Sequence, residues 1–451
     1  MAAGKRPQAH TALRRMPAGC HLQPPLCPGL REGNRAPVTI QFRAMFVARN
    51  LNAPSMPAWH STAQDAADLA LETTHFGFRK KLSGLTPRHP QRKPNVMNRI
   101  FFALVCIFST LGSMGAMAQS ITGAGSSAAA PIYRSWAKAY NRSTGAVVEY
   151  DPVGSSGGIK KIRQNEVGFG ASDVAPSTKE LTESGLVTFP VAITGISPVF
   201  HLAKIADGQL RLSGEVLSRI FMGEISRWNA PEITALNPGV ALPNEAIKVI
   251  VRSDGSGTTY NFTDYLGKVS AKWKNAYGAK TSIQWPEGFM GAKGSDGVAK
   301  ALQETPGSIA YIDHGYVKEY GLATAQMKNA EGEFIRPSVS AFKAALANSE
   351  WATSGSFSET LTQKPGKGSW PITMGTFVVV PKVASNPGQT LAALKFFAWS
   401  FLNGDTLVQE NNFVRLPDRV QAAAFKAITS VKDKSGAPIG MALISSLLGG
   451  K

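Results

Sequence analysis

The chain has 451 residues, with 48 Lys and Arg against 30 Asp and Glu, so its formal net charge is +18 at pH 7. That charge is uneven, because residues 1–96 hold 14 of the Lys and Arg and only 4 of the Asp and Glu. Residues 119–451 hold 33 Lys and Arg against 26 Asp and Glu, a net charge of only +7. With no arginine-rich run in that part, the sequence excludes a nucleic-acid-binding surface and suits a protein that meets small anions.

Residues 97–118 have the three-part pattern of a secretory signal peptide. Arg99 supplies the positive start, an apolar run covers 100–111, and the small residues Ala116 and Ala118 form an Ala-x-Ala cleavage site. The apolar run is too short for a comfortable transmembrane helix. We therefore predict cleavage after Ala118 and a mature periplasmic protein of residues 119–451.

The stretch before this signal, residues 1–96, is basic and has no sustained apolar period. Because a cleavable signal peptide acts from the N-terminus, we interpret Met97 as the true start and residues 1–96 as a mistaken extension. The alternative is a disordered basic arm. The three cysteines, Cys20, Cys27 and Cys106, all precede residue 119, so the mature part has no disulfide or thiolate metal site.

Strands and helices alternate along the mature chain, which predicts largely parallel sheets covered by helices on both faces. The strand candidates are 120–122, 147–150, 169–173, 186–200, 247–251, 308–312 and 377–380. The helix candidates are 130–141, 159–165, 214–222, 260–273, 298–304 and 390–403. A short apolar piece at 441–448 has no assigned place.

Four glycine- and hydroxyl-rich motifs follow predicted strands, at 123–128, 154–158, 170–173 and 252–259. In such sheets ligands bind beyond the carboxyl ends of the strands, at helix N-termini. Free backbone N–H groups and the helix dipole favour an anion there. Arg252 adds a planar cation suited to tetrahedral oxyanions.

Two carboxylates accompany these motifs and need a separate explanation. Asp173 can accept a hydrogen bond from the proton of phosphate, but it would face a bare oxygen of sulfate, so it can discriminate between the two anions. Asp254 is interpreted as a partner that orients Arg252, with a solvated carboxylate as the alternative.

The same motifs also resemble the patterns of two other chemistries, dinucleotide binding and serine hydrolysis. The pattern Gly123-x-Gly125-x-x-Ala128 resembles a dinucleotide fingerprint, but no acidic residue clearly takes the ribose position. Gly154-x-Ser156-x-Gly158 fits the nucleophile pattern of serine hydrolases, with His201 or His314 as the available base. Two histidines and no cysteine leave no metal site. We expect no enzyme activity, no cofactor and no metal.

The motifs together closely resemble the phosphate-binding proteins of bacterial high-affinity phosphate ABC transporters, and the likeness spans about residues 121–416. The segments that carry it are Thr122 to Ser127, Ala130 to Tyr133, Gly154 to Gly158, Phe169 to Asp173, Leu236 to Gly239, Arg252 to Thr258 and Trp370 to Thr373.

The resemblance implies an α/β, two-lobed periplasmic binding protein of the type II kind. Each lobe would be a largely parallel sheet flanked by helices, and the lobes would close on one dehydrated phosphate in the cleft between them. The first lobe would comprise 119–192 plus 374–434 and the second 193–373, followed by a tail at 435–451. Implied partners are inorganic phosphate and permease subunits in the inner membrane, with a monomeric receptor. The alternative ligand is another tetrahedral oxyanion, such as sulfate or molybdate.

Carried over residue by residue, the family's phosphate ligands fall on Ser127, Ala128 (through its N–H), Ser155, Asp173, Arg252, Ser256, Gly257 (through its N–H) and Thr258. The chain departs from the family at 127–129, where it has Ser-Ala-Ala in place of the usual Thr-Phe-Pro. The hydroxyl and the N–H are kept, whereas the aromatic wall and the proline are lost. Arg252 also follows Val251, where relatives often carry a second basic residue.

Overall fold

The structure is a computed structural model that describes residues 120–449. The predictions made for 1–96 and for the signal peptide at 97–118 lie outside the described residues. Within the described part, no helix combines the length and apolar character needed to cross a membrane.

The strands occur singly or in short runs between helices. They are β1 (Ile121–Gly125), β2 (Val148–Asp151), β3 (Phe169–Ser172), β4 (Leu186–His201), β5 (Arg211–Leu212), β6 (Lys248–Arg252), β7 (Met290–Ala292), β8 (Ser308–Asp313), β9 (Ala323–Thr324), β10 (Gln326–Lys328), β11 (Phe334–Ile335), β12 (Thr373–Pro381), β13 (Val383–Ala384) and β14 (Lys432–Asp433).

The helices cover the sheet and form the C-terminal region. They are α1 (Ala130–Thr144), α2 (Ser155–Arg163), α3 (Thr178–Glu183), α4 (Gly214–Phe221), α5 (Pro231–Thr234), α6 (Gly257–Val269), α7 (Ala271–Ala276), α8 (Gly294–Glu304), α9 (His314–Tyr320), α10 (Val339–Ala347), α11 (Glu350–Thr353), α12 (Pro387–Asn403), α13 (Asp405–Glu410), α14 (Asp418–Thr429) and α15 (Ile439–Gly449).

One large mixed sheet organises the described chain, with strand order β2-β1-β3-β12-β4-β8-β6-β7 and β9 paired to β4. At one end β2, β1 and β3 pair in parallel, and at the other end β8, β6 and β7 do the same. The two long strands β4 and β12 join these groups and pair antiparallel with each other and with their outer neighbours. The predicted α/β class with parallel groups flanked by helices is confirmed, and the antiparallel centre is what the sequence pattern did not predict.

Strand β4 is continuous across 16 residues although the sequence reads as interrupted by proline and glycine. Pro190 lies where the register with β12 shifts, which suits a residue that has no N–H to donate. Gly195 is required by packing, because a Cβ there would lie 2.1 Å from Cε1 of Phe342. These residues therefore adjust the strand locally and do not end it.

The core follows the predicted apolar faces. In α1 the residues Ile132, Trp136 and Tyr140, which recur every four residues and so share one helix face, are all buried. Near the first parallel group, the rings of Phe169 and Phe397 meet edge to face with centroids 4.8 Å apart. The apolar piece at the C-terminus, unplaced by sequence, is α15, and Leu443 within it is buried.

Four helices begin earlier than the sequence predicted, among them α6 at Gly257, not at residue 260, and α12 at Pro387, not at residue 390. Helix α2 begins at Ser155, not at residue 159, and α8 begins at Gly294, not at residue 298. The prediction was wrong because it counted glycine as a helix breaker. In α2 the glycine is imposed by packing, since a Cβ at Gly158 would lie 2.5 Å from the Cα of Gly125.

Candidate anion-binding site

Three helix N-termini and the loop after β1 meet at one place in the described structure. Helix α2 begins at Ser155, α6 at Gly257 and α8 at Gly294. Strands β1 and β3 belong to the first parallel group and β6 to the second, and the segments that follow these three strands contact one another here. The helix dipoles and the first-turn N–H groups give this place a positive potential.

Asp173, directly after β3, is a buried carboxylate at the place where these segments meet. The hydroxyl of Ser126 lies 2.6 Å from its Oδ1 and 2.7 Å from its Oδ2 and donates to the carboxylate. Burial raises the pKa of Asp173 to about 6, although the Ser126 hydroxyl and the charge of Arg252 act in the opposite direction. The carboxylate is thus ionised above about pH 6, and the hydroxyls of Thr376 and Ser155 also favour its charged form.

Arg252, the last residue of β6, is buried and held by Asp254. Its Nε donates to Oδ1 of Asp254 over 2.7 Å, and its Nη2 donates to Oδ2 over 2.5 Å. The backbone N–H of Gly294 also donates to Oδ1 of Asp254, over 3.0 Å. Burial favours the neutral acid, but the Arg252 guanidinium and the Gly294 N–H outweigh it and hold the pKa of Asp254 below its usual value. Asp254 takes two of the five guanidinium donors, so three remain for other acceptors.

The Ser155 hydroxyl joins two distant segments. It accepts the backbone N–H of Asp173 and that of Gly257, each over 3.1 Å. The approach is close enough to require glycine, because a Cβ at Gly257 would lie 2.5 Å from the Ser155 Oγ. Asn261 fixes the same junction, as its side-chain amide donates to the carbonyls of Asp173 and Gly257.

A second junction joins the loop after β1 to the start of α8. The hydroxyls of Ser127 and Ser295 lie 2.9 Å apart, and the Ser295 N–H donates to the Ser127 oxygen over 3.1 Å. Tyr316 donates from its hydroxyl to the Ser127 carbonyl over 2.8 Å. The neighbouring Ala128 is buried. The loop is therefore held by the hydrogen bonds of Ser127 and by the packing of Ala128.

The start of α6 is capped and tied to the core. Ser256 is the N-cap residue, and its side chain accepts the N–H of Thr259. The Thr259 hydroxyl meets that of Tyr311 at 2.7 Å, and Tyr311 stacks on Phe262. Thr258 has a buried hydroxyl that finds no protein hydrogen-bond partner among residues 120–449. Such a group needs a partner of another kind.

The nucleophile pattern around Ser156 does not form a catalytic group in the described structure. Ser156 is exposed, and its N–H donates to the Gly255 carbonyl. His201 uses Nδ1 at the Leu302 carbonyl, and His314 uses Nδ1 at the Ser197 hydroxyl. Burial lowers the pKa of His314 to about 4. Neither histidine serves Ser156 as a base here.

The structure brings together all the predicted site residues and adds others that sequence reasoning missed. Gly294 and Ser295 lie in a glycine-rich stretch at 288–297, which is a partial sequence signal, whereas no sequence pattern marks Asn261 or Tyr311. Ser126 stood beside a predicted ligand without being assigned a role. Within the described residues, no three His, Cys, Asp or Glu side chains gather as metal donors.

Comparison with known proteins identifies the family. A family model for the PBP superfamily domain matches residues 112–403. The phosphate-binding protein PstS of Pasteurella multocida is 42% identical over 341 residues, covering 75% of this chain and 98% of the relative. The chain belongs to the PstS family within the PBP superfamily.

Further relatives of the PstS family agree with this placement. The phosphate-binding protein PstS of Xylella fastidiosa is 43% identical over 297 residues, covering 66% of this chain and 81% of the relative. The solved phosphate-binding protein from Stenotrophomonas maltophilia has a TM-score of 0.55 at 20% identity, covering 72% of this chain and 98% of that one. At that identity the solved structure supports the fold alone.

Proposed function

We propose that this protein binds inorganic phosphate in the periplasm and delivers it to the permease of an ABC transporter. The observation that carries the proposal is a buried, ionisable Asp173 within a ring of hydroxyl and N–H donors beside the Arg252 guanidinium. Membership of the PstS family supports the same conclusion. The chain is a binding protein and not an enzyme.

The chemistry of the donors favours an anion that carries a proton. Hydroxyl, N–H and guanidinium groups can satisfy the oxygens of any tetrahedral oxyanion. An ionised carboxylate among them adds an acceptor, which the P–OH of hydrogen phosphate can satisfy and sulfate cannot. A buried acceptor left unpaired lowers affinity strongly, so Asp173 would exclude sulfate and molybdate.

We assign the binding groups as follows. Ser127, Ser155, Ser256 and Thr258 would contribute hydroxyls, Ala128 and Gly257 backbone N–H groups, and Arg252 its remaining donors. Asp254 would support Arg252 from outside the ligand. The buried Thr258 hydroxyl, which no protein group satisfies in the described structure, supports its assignment as a ligand donor.

We further propose that residues 119–192 with 374–434 form one lobe and 193–373 the other. The junctions at Ser155 and Ser127 join residues of the two proposed lobes, which supports a closed arrangement. Closure would bring donors from both lobes around one ligand and exclude water. The lobes are expected to work as a monomeric receptor.

Export to the periplasm through a cleaved signal peptide is part of the proposal. The signal pattern at 97–118 supports cleavage after Ala118 and a start at Met97. N-terminal sequencing of protein recovered from the periplasm should then give Gln119 as the first residue. A first residue within 1–96 would contradict this processing and leave the ligand assignment untouched.

Calorimetric titration tests the ligand directly. Protein freed of phosphate by unfolding and dialysis should bind phosphate with one site per chain and bind sulfate at pH 8 at least about a thousandfold more weakly, a difference of about 4 kcal/mol. Equal affinity for the two anions, or tighter binding of molybdate, would reject phosphate as the ligand.

The selectivity role of Asp173 is tested by Asp173→Asn. An amide can donate to a bare oxygen, so we expect sulfate to gain affinity by at least about tenfold, or about 1.4 kcal/mol, relative to phosphate. The sulfate-to-phosphate affinity ratio at pH 8 is the measurement. A ratio unchanged from the wild type would remove Asp173 from the selectivity mechanism.

A further inference from the structure

The contact between Ser126 and Asp173 assigns a task to a residue outside the proposed ligand set. Ser126 is 1% exposed and Asp173 is 3% exposed, so water does not compete for their hydrogen bond. The Ser126 oxygen already accepts the N–H of Ala129 over 3.2 Å. Its proton points to the carboxylate, where both oxygens lie within 2.7 Å.

Both ends of this contact are fixed by other bonds. The N–H of Ser126 donates to the Ala171 carbonyl over 3.0 Å, which ties it to β3. The main chain of Asp173 is held on one side by the Ser155 hydroxyl and on the other by the Asn261 amide. The backbones that carry the hydroxyl and the carboxylate are therefore held in place by hydrogen bonds, and the contact between the two groups is preorganised.

A serine hydroxyl has one proton, whereas an ionised carboxylate has two acceptor oxygens. Ser126 can satisfy one oxygen at a time, so it does not fill every acceptor position that a ligand proton could use. Hydrogen bonds to ionised acceptors are about twice as strong as neutral ones, so the hydroxyl favours the ionised form of the carboxyl group.

The groups around Asp173 divide into those that support its charge and those that oppose it. Burial opposes the ionised form, whereas the Thr376 hydroxyl, the Arg252 charge and the Ser155 hydroxyl support it together with Ser126. Burial, and to a lesser extent the Asp173 charge, raises the pKa of Asp313. Tyr133 and Tyr150 face the carboxylate as neutral phenols, because burial raises the pKa of both. Ser126 thus acts on a carboxyl group whose pKa, about 6, lies below neutral pH.

We propose that Ser126 is a positioning residue that keeps Asp173 ionised and so sets the pH below which the site admits anions without a proton. This inference rests on the proposed function. Hydrogen phosphate brings its own proton to the Asp173 carboxylate, so its binding depends little on the protonation of the free site. Sulfate brings none, so it can bind well only when Asp173 has taken up a proton from solution.

The test is the pH dependence of sulfate and phosphate affinity, measured by calorimetry from pH 5 to 8.5. In the wild type, sulfate affinity should fall by up to about tenfold per pH unit above pH 6. In Ser126→Ala the start of that fall should move up by about one pH unit, so that sulfate at pH 7.5 binds up to about tenfold more tightly. Phosphate affinity at pH 7.5 should change less than sulfate affinity.

Ser172→Ala is the matched control. The Ser172 hydroxyl also accepts a backbone N–H, that of Val174, but it donates to the Val174 carbonyl and not to a carboxylate. This variant should keep the wild-type sulfate profile. Ser126→Cys provides a second test, since a thiol is a weaker donor of similar size and should also move the profile upward.

The outcomes are distinct. A wild-type sulfate profile in a folded Ser126→Ala or Ser126→Cys variant overturns the role of Ser126. An equal shift in Ser172→Ala overturns it too, because the effect would then be general to hydroxyl loss in this region. Absence of phosphate binding in the wild type would instead reject the proposed function.

Discussion

At the scale of single residues, Asp173 combines a functional requirement with an energetic cost. A buried carboxylate is unfavourable because its charge is removed from water, and the raised pKa of Asp173 expresses that cost. Arg252 compensates in part, but Asp254 already pairs with its guanidinium in two hydrogen bonds. The site thus keeps Asp173 available to accept a hydrogen bond from a ligand and uses Asp254 to orient the Arg252 guanidinium.

This cost predicts a dependence of stability on pH in phosphate-free protein. The folded chain keeps the Asp173 proton up to about pH 6, whereas the unfolded chain releases it near the ordinary aspartate pKa of 3.8. Between these values the folded state binds more protons, so the free energy of unfolding should fall as pH rises from about 4 to 6. Asp313, whose pKa burial also raises, contributes with the same sign.

Asp173→Asn should remove the contribution of Asp173. We expect the variant to be more stable than the wild type at pH 8 by about 1–3 kcal/mol, with the difference shrinking toward pH 4. Urea unfolding at both pH values, without phosphate, measures it. A variant that is less stable than the wild type at pH 8 would show that the Asp173 charge is compensated in the folded state.

At the scale of elements, the sequence predicted well which segments are helices and which are strands. It predicted poorly the residues at which the helices begin. The strands before the four motifs and the amphipathic face of α1 follow from apolar spacing and were predicted. The starts of α2 and α8 were not, because propensity places glycine outside helices. Close packing requires glycine at Gly158 in α2, whereas Gly294 begins α8 with a positive φ of 70°. The convergence of Ser127 with Ser295 depends on strand order in the sheet, which no local pattern in the sequence encodes.

Gly257, the first residue of α6, gives a prediction at this scale. A Cβ would lie 2.5 Å from the Ser155 Oγ and 2.7 Å from the Cβ of Asp173, so Gly257→Ala should push these segments apart. We expect phosphate affinity to fall at least about tenfold, or about 1.4 kcal/mol, in titration calorimetry.

Gly267, in the same helix, is the matched control. The nearest atoms to a Cβ there lie 3.9 Å away, an ordinary contact distance. Gly267→Ala should leave phosphate affinity unchanged and stabilise the protein by about 0.5–1 kcal/mol through helix propensity. Equal loss of affinity in both variants would mean that the effect arises from α6 as a whole and not from crowding at Ser155.

At the scale of the whole molecule, one hydrophobic cluster extends under both parallel strand groups. It includes Ile121 and Phe169 near the first group and Phe221 and Phe262 near the second. We therefore expect residues 119–451 to unfold in a single cooperative transition despite the two proposed lobes. The sequence predicted the apolar segments, but not that most of their buried side chains would join in one large cluster beside two smaller ones.

Ligand binding should stabilise this unit by mass action. Phosphate at a hundred times its Kd should add about 2.7 kcal/mol and raise Tm by about 5 °C. Differential scanning calorimetry at increasing phosphate measures the shift, with sulfate at equal ionic strength as the control. A rise of equal size with sulfate would indicate a general salt effect.

The antiparallel pairing of β4 and β12 has a mechanical consequence. The two strands pair from Thr373 to Pro381 with one shift in register, and Ile193 is further bridged to Val414. The hydrogen bonds between the strands resist sliding of one strand past the other. If the two proposed lobes open, we expect them to do so by bending across these two bonded strands. Such bending would give the receptor two shapes that differ in the distance between its proposed lobes. A membrane partner could then recognise each shape by that distance.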